Sequence, residues 1–419
     1  MDRRRLRLLL DSPERAWLAL ALVLRAAFAL RLGGAFYQTD EHSFAAAART
    51  LASSGFVGIG GVPTSGPPVP AALYGLGFRL FGPSLLGPRL LEGLVGVLLA
   101  AAVGRATAAL TRSRDAGRLA LIVACVYPFF VYYGGLLMSE TPYVTLAFPA
   151  LALLALGVRD ESAPLLCGGG FLLGLAALAR AEAAPIALLV FAAAAAARAD
   201  RRSLRRLALA VLCWAVPLLG WCARNRAELG AFTLDDHGGI TLLHGTMFFD
   251  ANEIDTTVAM KEFEATPLAA RTNGLPAPER DRALMRAGFA WIFSHPAQVA
   301  RQWVRKFVNF WRFYPRVDKR YPDDAVANPS AGASRGLLVA VSLLFEPALI
   351  LGGLAGLWTL RARRELWTLW AFLLGTTGVH VFIISQMRYR LPVMPILMVG
   401  AAALAARALD GGAPQSETR

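Results

Sequence analysis

Thr39-Asp40-Glu41 places two adjacent carboxylates just past the first apolar stretch of the chain. Charge at the mouth of a membrane helix is costly to keep there without a use. Beside a cavity, such a carboxylate can act as a general base and take a proton from an acceptor hydroxyl, while its neighbour orients it or binds a metal. The same residues also suit a helix start ahead of HSFAAAARTL, because acidic residues cap helix N-termini. On spacing alone the cap is the plainer reading.

Arginines form the second group of candidates. Arg388 and Arg390 flank Tyr389 just before Pro392, Arg89 stands near the start of the second apolar stretch, and Arg180 sits beside Glu182 between two others. A phosphate needs such donors, and the planar guanidinium fork meets it with two parallel bonds. An arginine at a helix end also snorkels to lipid headgroups without any specific ligand. Ser139-Glu140 follows the third stretch, where Glu140 either lines the same cavity or caps the helix that begins TPYVTL.

Asp235, Asp236, His237 and His244 are the cluster with metal-ligand residue types. Histidine with carboxylate suits zinc or manganese. The spacing matches no metal motif, so a divalent ion on Asp236 and His237 stands beside the plainer reading of a polar turn. His244 is a further substrate-binding candidate. The chain has no phosphate-cradling glycine loop, dinucleotide fingerprint or nucleophile elbow. The energy for any transfer must then come from an activated substrate.

These residues need a membrane scaffold to position them. The 419 residues are 56% hydrophobic, with mean hydropathy +0.48, which places the chain outside the soluble class. Apolar stretches at 16–33, 84–110, 118–134, 141–158, 164–179, 184–197, 205–223, 336–360, 366–385 and 392–408 predict an all-α polytopic protein with about ten transmembrane helices. The net charge of +14 is almost all arginine, and its placement in short loops argues against a nucleic-acid partner. Arg3, Arg4, Arg5 and Arg7, then Arg112, Arg114 and Arg118, then Arg198 to Arg206, then Arg361, Arg363 and Arg364 all fall on one side of ten spans. That side is the cytoplasm by the positive-inside rule. Asp40, Glu41, Glu140 and Arg388 to Arg390 then face outward at the inner or plasma membrane. Cys125, Cys167, Cys213 and Cys222 lie in or at the ends of apolar stretches and read as packing residues.

Three blocks follow. Residues 1–223 form an N-terminal membrane module with an outer loop at 34–83; 224–335 form an outer-face region; 336–419 hold the last helices and a short cytoplasmic tail. In the outer loop, 42–51 reads as an interfacial helix, 55–70 as a Gly/Pro-rich turn and 70–81 as a second membrane-hugging helix. AFTLDDHGGITLLHGTMFFDANE reads as loop with short strands, whereas ERDRALMRAGFAWIFSHPAQVARQWVRKFVNFWRF has helical periodicity broken at Pro296. Its tryptophans interleave with basic residues, as on a membrane surface.

The order DE after the first span, PP before the second, SE after the third, and a late R-Y-R-x-P resembles the GT-C membrane glycosyltransferases. The bacterial branch related to protein O-mannosyltransferases and the lipid A aminoarabinose transferase is the nearest in pattern. RNRAELGAFTLDDHGGITLLHG and the His-Pro, Lys-containing segment are similar to its long outer region. The resemblance implies a polyprenyl-phosphate-linked sugar donor, a hydroxyl-bearing acceptor and surrounding membrane lipid. It also implies Asp40 as the catalytic carboxylate of an inverting transfer, with outer-face arginines on the phosphate. One position departs: Gly66 stands where the family often carries Lys or His before Pro-Pro, which makes Arg79 or Arg89 the substitute cation. A transporter or flippase of lipid-linked precursors is the rival reading. It would share the spans and charges, but it does not call for the outer region.

Overall fold

The computed structural model describes residues 13–250, 256–314 and 335–409. Arg3, Arg4, Arg5 and Arg7, the 315–334 end of the outer region and the tail beyond 409 lie outside them.

Each of the ten expected spans is occupied by a helix. They are α1 (Glu14–Leu32), α4 (Leu86–Thr111), α5 (Arg114–Val126) continued by α6 (Pro128–Tyr133), α7 (Glu140–Arg159), α8 (Ala163–Ala179), α9 (Ala183–Ala197), α10 (Arg201–Leu229), α16 (Arg335–Thr359), α17 (Trp367–Phe382) and α18 (Met394–Leu409). Among the described residues, five segments are long and apolar enough to cross a membrane by length and composition: Leu86–Thr111, Glu140–Arg159, Arg201–Leu229, Val339–Thr359 and Met387–Leu409. The chain is a multi-pass, all-α membrane protein. Leucines on the rim, such as Leu30, Leu98, Leu212 and Leu344, are exposed, as lipid-facing residues must be.

Between helices the contacts are made by small residues. Gly353 and Gly356 of α16 lie against Gly400 of α18, and Gly170 and Gly174 of α8 lie against Ala210 and Trp214 of α10. In each pair an added methyl would overlap the opposing backbone. Close backbone approach of this kind is how apolar helices associate where lipid supplies no hydrophobic drive.

The 34–83 loop holds α2 (Thr39–Ser54), a two-residue hairpin of β1 (Gly58–Ile59) and β2 (Val62–Pro63), and α3 (Pro68–Phe81). The hairpin turns at Gly60-Gly61, where both φ angles are positive, a conformation open to glycine at little cost. The region from 224 departs from expectation. It holds α11 (Gly238–Gly245), α12 (Thr256–Glu264), α13 (Pro267–Thr272), α14 (Ala277–Ser294) and α15 (Pro296–Trp311), and no strand among its described residues. Gly239, Leu242 and Leu243, at helical spacing, are all buried, and Gly239 and Leu242 lie close against α14. That packing favours helix over strand. Pro296 opens α15, as expected. The four cysteines are free and buried or half-buried.

A proline shapes the third span. Pro128 has no N–H, so α5 stops and α6 restarts. The carbonyls of Ala124 and Cys125 are taken up by Arg25, a buried arginine of α1, at 3.4 and 3.0 Å. Gly96 makes room for it: an added Cβ there would lie 2.7 Å from the Arg25 side chain. Replacing Arg25 with Met should orphan both carbonyls at about 1–3 kcal/mol each. The melting temperature in detergent should fall, whereas Val23→Ala on the exposed side of α1 should leave it nearly unchanged; equal melting of Arg25→Met and wild type would refute the brace.

Candidate functional site

The site begins with the way α2 is fastened. Glu41 is fully buried, and both of its oxygens are occupied. Oε2 accepts from the backbone N–H groups of Tyr37 (2.7 Å) and Gln38 (3.0 Å), while Oε1 accepts from Leu137 N–H (3.1 Å) and from Arg89 (3.2 Å). The helix-start reading is therefore realised with Gln38 as the cap and Glu41 in the first turn. Arg89, itself fully buried, also donates to the carbonyls of Gly33 (2.8 Å) and Ala35 (2.6 Å). Both side chains are fully buried, and of their polar atoms Arg89 Nε alone has no partner among the described residues, with no path to solvent. Glu41 as a second catalytic carboxylate and Arg89 as a phosphate ligand both give way to a fastening role, because burial demands full pairing. Arg79, the other cation considered for the place of Gly66, is exposed, with its Nε donating to the carbonyl of Ala52 (3.2 Å).

Asp40, one residue away, turns outward. Its side chain is 51% exposed, and only Oδ2 is engaged, accepting from both terminal nitrogens of Arg388 at 3.2 Å. Behind Arg388 the charges alternate. Its Nε lies 3.8 Å from Glu140 Oε1, and the same oxygen accepts from Arg180 at 3.3 Å. Arg180 forks onto Glu182 at 2.9 and 3.3 Å and donates to Ser139 at 3.1 Å. His380 of α17 ends the chain, with Nε2 3.2 Å from Glu182 and Nδ1 3.0 Å from the carbonyl oxygen of Ile384. The Tyr389 ring lies beneath both guanidiniums, 5.0 Å from Arg388 and 5.1 Å from Arg180, and stacks on His380 at 4.5 Å. Burial works against the charge of Glu182, but Arg180 and His380 outweigh it and hold that carboxyl below its ordinary range.

Of the expected residues, the fold thus gathers Asp40, Glu140, Arg180 and Arg388. It separates the others. Arg390 is buried, donating to the carbonyls of Phe310 (2.6 Å) and Arg312 (2.8 Å) and pairing with Glu346 of α16. Glu346 also takes the hydroxyl hydrogen of Tyr127. Arg390 is therefore a clamp on the 387–393 segment and not a surface donor. His244 is buried within α11 with its Nε2 unpartnered, and burial pushes its pKa down. Asp235, Asp236 and His237 bring three ligand atoms within 4.8 Å of one another. His237 donates towards both carboxylates (3.0 and 2.9 Å), and these bonds push its pKa up to about 10. Its ring is 64% exposed, so solvent weakens the effect. A metal would have to displace that proton.

Glu182, His380 and Tyr389 are the members that residue spacing did not single out as a group. A histidine inside an apolar stretch is itself a signal, and His380 carries it. Lys306 of α15 is also buried, donating to the carbonyl of Phe382 at 3.1 Å. With Asn309 to Ser385 and Ser385 to Lys306, it fastens α15 to the end of α17, just ahead of Arg388.

Residues 65–221 match the family model of dolichyl-phosphate-mannose-protein mannosyltransferase. No curated protein sequence matches the chain. The archaeal oligosaccharyltransferase AglB from Archaeoglobus fulgidus, in complex with an inhibitory peptide and a dolichol-phosphate, is similar at TM-score 0.54 and 14% identity, over 97% of this chain and 53% of that one. The same enzyme in complex with Zn and sulfate gives 0.52 and 13%, over 93% and 49%. ArnT from Cupriavidus metallidurans in the apo state gives 0.44 and 15%, over 92% and 77%. The chain spans about half the length of the oligosaccharyltransferase chains it matches. The chain shares its fold with the part of the oligosaccharyltransferase that it matches.

Two measurements test this geometry. Glu41→Gln and Arg89→Met should each cost about 3–5 kcal/mol, because each leaves a buried group without its partner. The double variant should cost less than their sum in a denaturation cycle; strict additivity would break the pairing argument. Burial lowers the Lys306 pKa from 10.5 to about 7, so the folded chain binds fewer protons than the unfolded chain between these values. Its contribution to stability should then rise with pH from about 7 to about 10.5. The difference in melting temperature between wild type and Lys306→Met should change across that window and be flat below it; a constant difference would contradict the shift.

Proposed function

We propose that the chain is an inverting glycosyltransferase that moves a sugar from a polyprenyl-phosphate-linked donor to a hydroxyl-bearing acceptor at the outer face of the cytoplasmic membrane. The observation that carries this reading is Asp40: a half-exposed carboxylate with one oxygen held by Arg388 and the other without a partner among the described residues. Oδ1 takes the proton of the acceptor hydroxyl as its oxygen attacks the anomeric carbon. The bond from that carbon to the phosphate oxygen breaks on the opposite face, and polyprenyl phosphate leaves with the electron pair. The proton on Asp40 then passes to water.

Charge builds on the leaving phosphate, and preorganised donors there lower the barrier. Gly66 supplies none, so Arg388 takes that role, reaching from Asp40 towards the phosphate. Glu140 and Arg180 keep it in place, and Tyr389 supports both guanidiniums from below. Arg388 also keeps a cation beside Asp40. Support for the donor class comes from the mannosyltransferase match and from the GT-C fold shared with an enzyme seen with dolichol-phosphate. Asp235, Asp236 and His237 are the donors that would hold a divalent ion. There it would tie the turn ahead of α11 and assist folding.

The test compares envelope glycans and glycolipids by mass spectrometry from wild-type, deletion and Asp40→Asn strains. Deletion and Asp40→Asn should lose the same sugar with the protein at normal level, and the lost mass names sugar and acceptor class. With purified protein, Asp40→Asn should lower turnover by about 10²–10⁴, while Arg388→Lys should raise the donor KM. Full transfer by Asp40→Asn would overturn the assignment and favour a transporter. Added chelator should lower the melting temperature more than it lowers turnover at 25 °C; an immediate loss of turnover would move the metal into the reaction.

A further inference from the structure

A second concavity lies at the other end of the bundle. α1 runs for 19 residues before the Asp40 loop, about 28 Å at 1.5 Å per residue. At its far end Glu14 and Leu18 border a cavity of about 580 Å³. Its remaining walls come from α4 and α5 in a repeated pattern. Ala101, Gly104, Arg105 and Ala108 face it from α4, while Arg114, Gly117, Arg118 and Leu121 face it from α5. Both sets have the spacing i, i+3, i+4, i+7 of a single helix face.

The pattern divides the cavity into two environments. Small and apolar residues make the floor, and three guanidiniums make the rim. Gly104 and Gly117 keep α4 and α5 in close contact, since an added Cβ on either would lie 2.6–2.8 Å from the other helix. The arginines themselves are unused: Arg105, Arg114 and Arg118 make no ion pair or side-chain hydrogen bond among the described residues. Glu14 is the single acid on the lining, so the rim carries a net charge of about +2. The preceding sequence adds Arg3, Arg4, Arg5 and Arg7 and so supplies no net negative charge to neutralise it.

Positive loops on one side of a membrane are ordinary, and arginines that served only that purpose would need no shared cavity. Here three of them surround one volume, within the size range of small-molecule sites. A ligand that satisfies both environments has an anionic head and an apolar body. Guanidinium forks fit phosphate oxygens in particular, and basic pockets between membrane helices take lipid headgroups. We propose that this cavity binds the phosphate headgroup of an anionic membrane lipid in the leaflet opposite Asp40. The lipid's chain would lie along the apolar floor, holding α1 against α4 and α5. This site is separate from the transfer chemistry and does not depend on the assignment of Asp40.

The test uses the delipidated full chain in detergent and reads lipid retention by native mass spectrometry. Phosphatidylglycerol should bind at one per chain, and phosphatidylcholine with the same acyl chains at least tenfold more weakly. The variant Arg105→Gln/Arg114→Gln/Arg118→Gln should lose at least tenfold in affinity. Ala101→Leu, which fills the floor and keeps every charge, should lose a similar factor. Arg201→Gln/Arg202→Gln/Arg205→Gln removes equal charge from the same end without lining the cavity and should bind as wild type. Melting without lipid checks each fold, and if Ala101→Leu fails that check the two arginine triples still decide. Equal loss in both triples would reduce the effect to bulk charge and overturn the site, as would unchanged binding by a folded Ala101→Leu. Inorganic phosphate should displace the lipid only weakly; displacement at equal concentration would overturn the lipid as the ligand and leave a site for a soluble phosphate.

Discussion

A carboxylate taken out of water at the membrane boundary must be fully paired, and Glu41 is where this chain meets that demand. Desolvation of one such ion costs several kcal/mol. Glu41 recovers it through three backbone N–H groups and Arg89. Those partners come from different places: the turn before α2, the loop at Leu137 and the start of α4. Satisfying one charge therefore fixes the first outer loop against two spans. Arg89 extends the same fastening to the carbonyls that end α1. The position of Asp40 follows from it, since consecutive helical residues are rotated by about 100°. With Glu41 turned inward and held, its neighbour emerges on the open side.

The same requirement, repeated, organises the rest of the site. Each charge beneath Asp40 finds the opposite sign next to it, from Arg388 through Glu140 and Arg180 to Glu182, and His380 meets Glu182 at the end. The residues come from the 387–393 segment, the start of α7, the α8–α9 loop and the end of α17. With α2, which carries Asp40, five pieces of chain are thereby brought to one place. The 224–335 block contributes by holding the 387–393 segment. Lys306 and Asn309 dock α15 on the end of α17, and Arg390 reaches back to the carbonyls at its C-terminal end. Part of the 224–335 block thus acts as a wedge behind Arg388, which gives its helices a reason to be long and buried on one face.

Hydropathy made the helices legible. The ten apolar stretches and the two short outer helices can be read from it because lipid selects composition directly. The outer region was less legible, and GITLLHG is the instructive case. Seven residues are too few to show a period, and only the contact of Gly239 and Leu242 with α14 makes that segment helical. In the site, Asp40, Glu140, Arg180 and Arg388 were visible as polar residues at span ends. Arg89 and Arg390 have the same appearance in sequence and a different fate. What separates them is which carbonyls and carboxylates lie within reach, and that depends on helices distant in the chain: Glu346 for Arg390, the Gly33–Ala35 carbonyls for Arg89. Three ionisable residues inside apolar stretches, Arg25, Glu346 and His380, were signals of the same kind as Asp40. Each is buried and partnered in the structure.

Buried arginine serves two purposes here, and the acceptors on each guanidinium tell them apart. Arg25 and Arg89 spend their donors on carbonyls that helix breaks leave open: a proline kink for the first, the end of α1 for the second. Neither is free to move without exposing those carbonyls, so both are fixed parts of the scaffold. Arg388 meets carboxylates and an aromatic face and touches no backbone carbonyl among its hydrogen bonds. It can exchange Asp40 for another anion without breaking the backbone's own hydrogen bonding. An anion arriving at the mouth of the bundle would meet that arginine first, and the chain of pairs behind it would hold the guanidinium in place during the exchange. Under the proposed function, a structural and a phosphate-binding arginine would differ in what the guanidinium leaves unpaired on moving, more than in depth of burial.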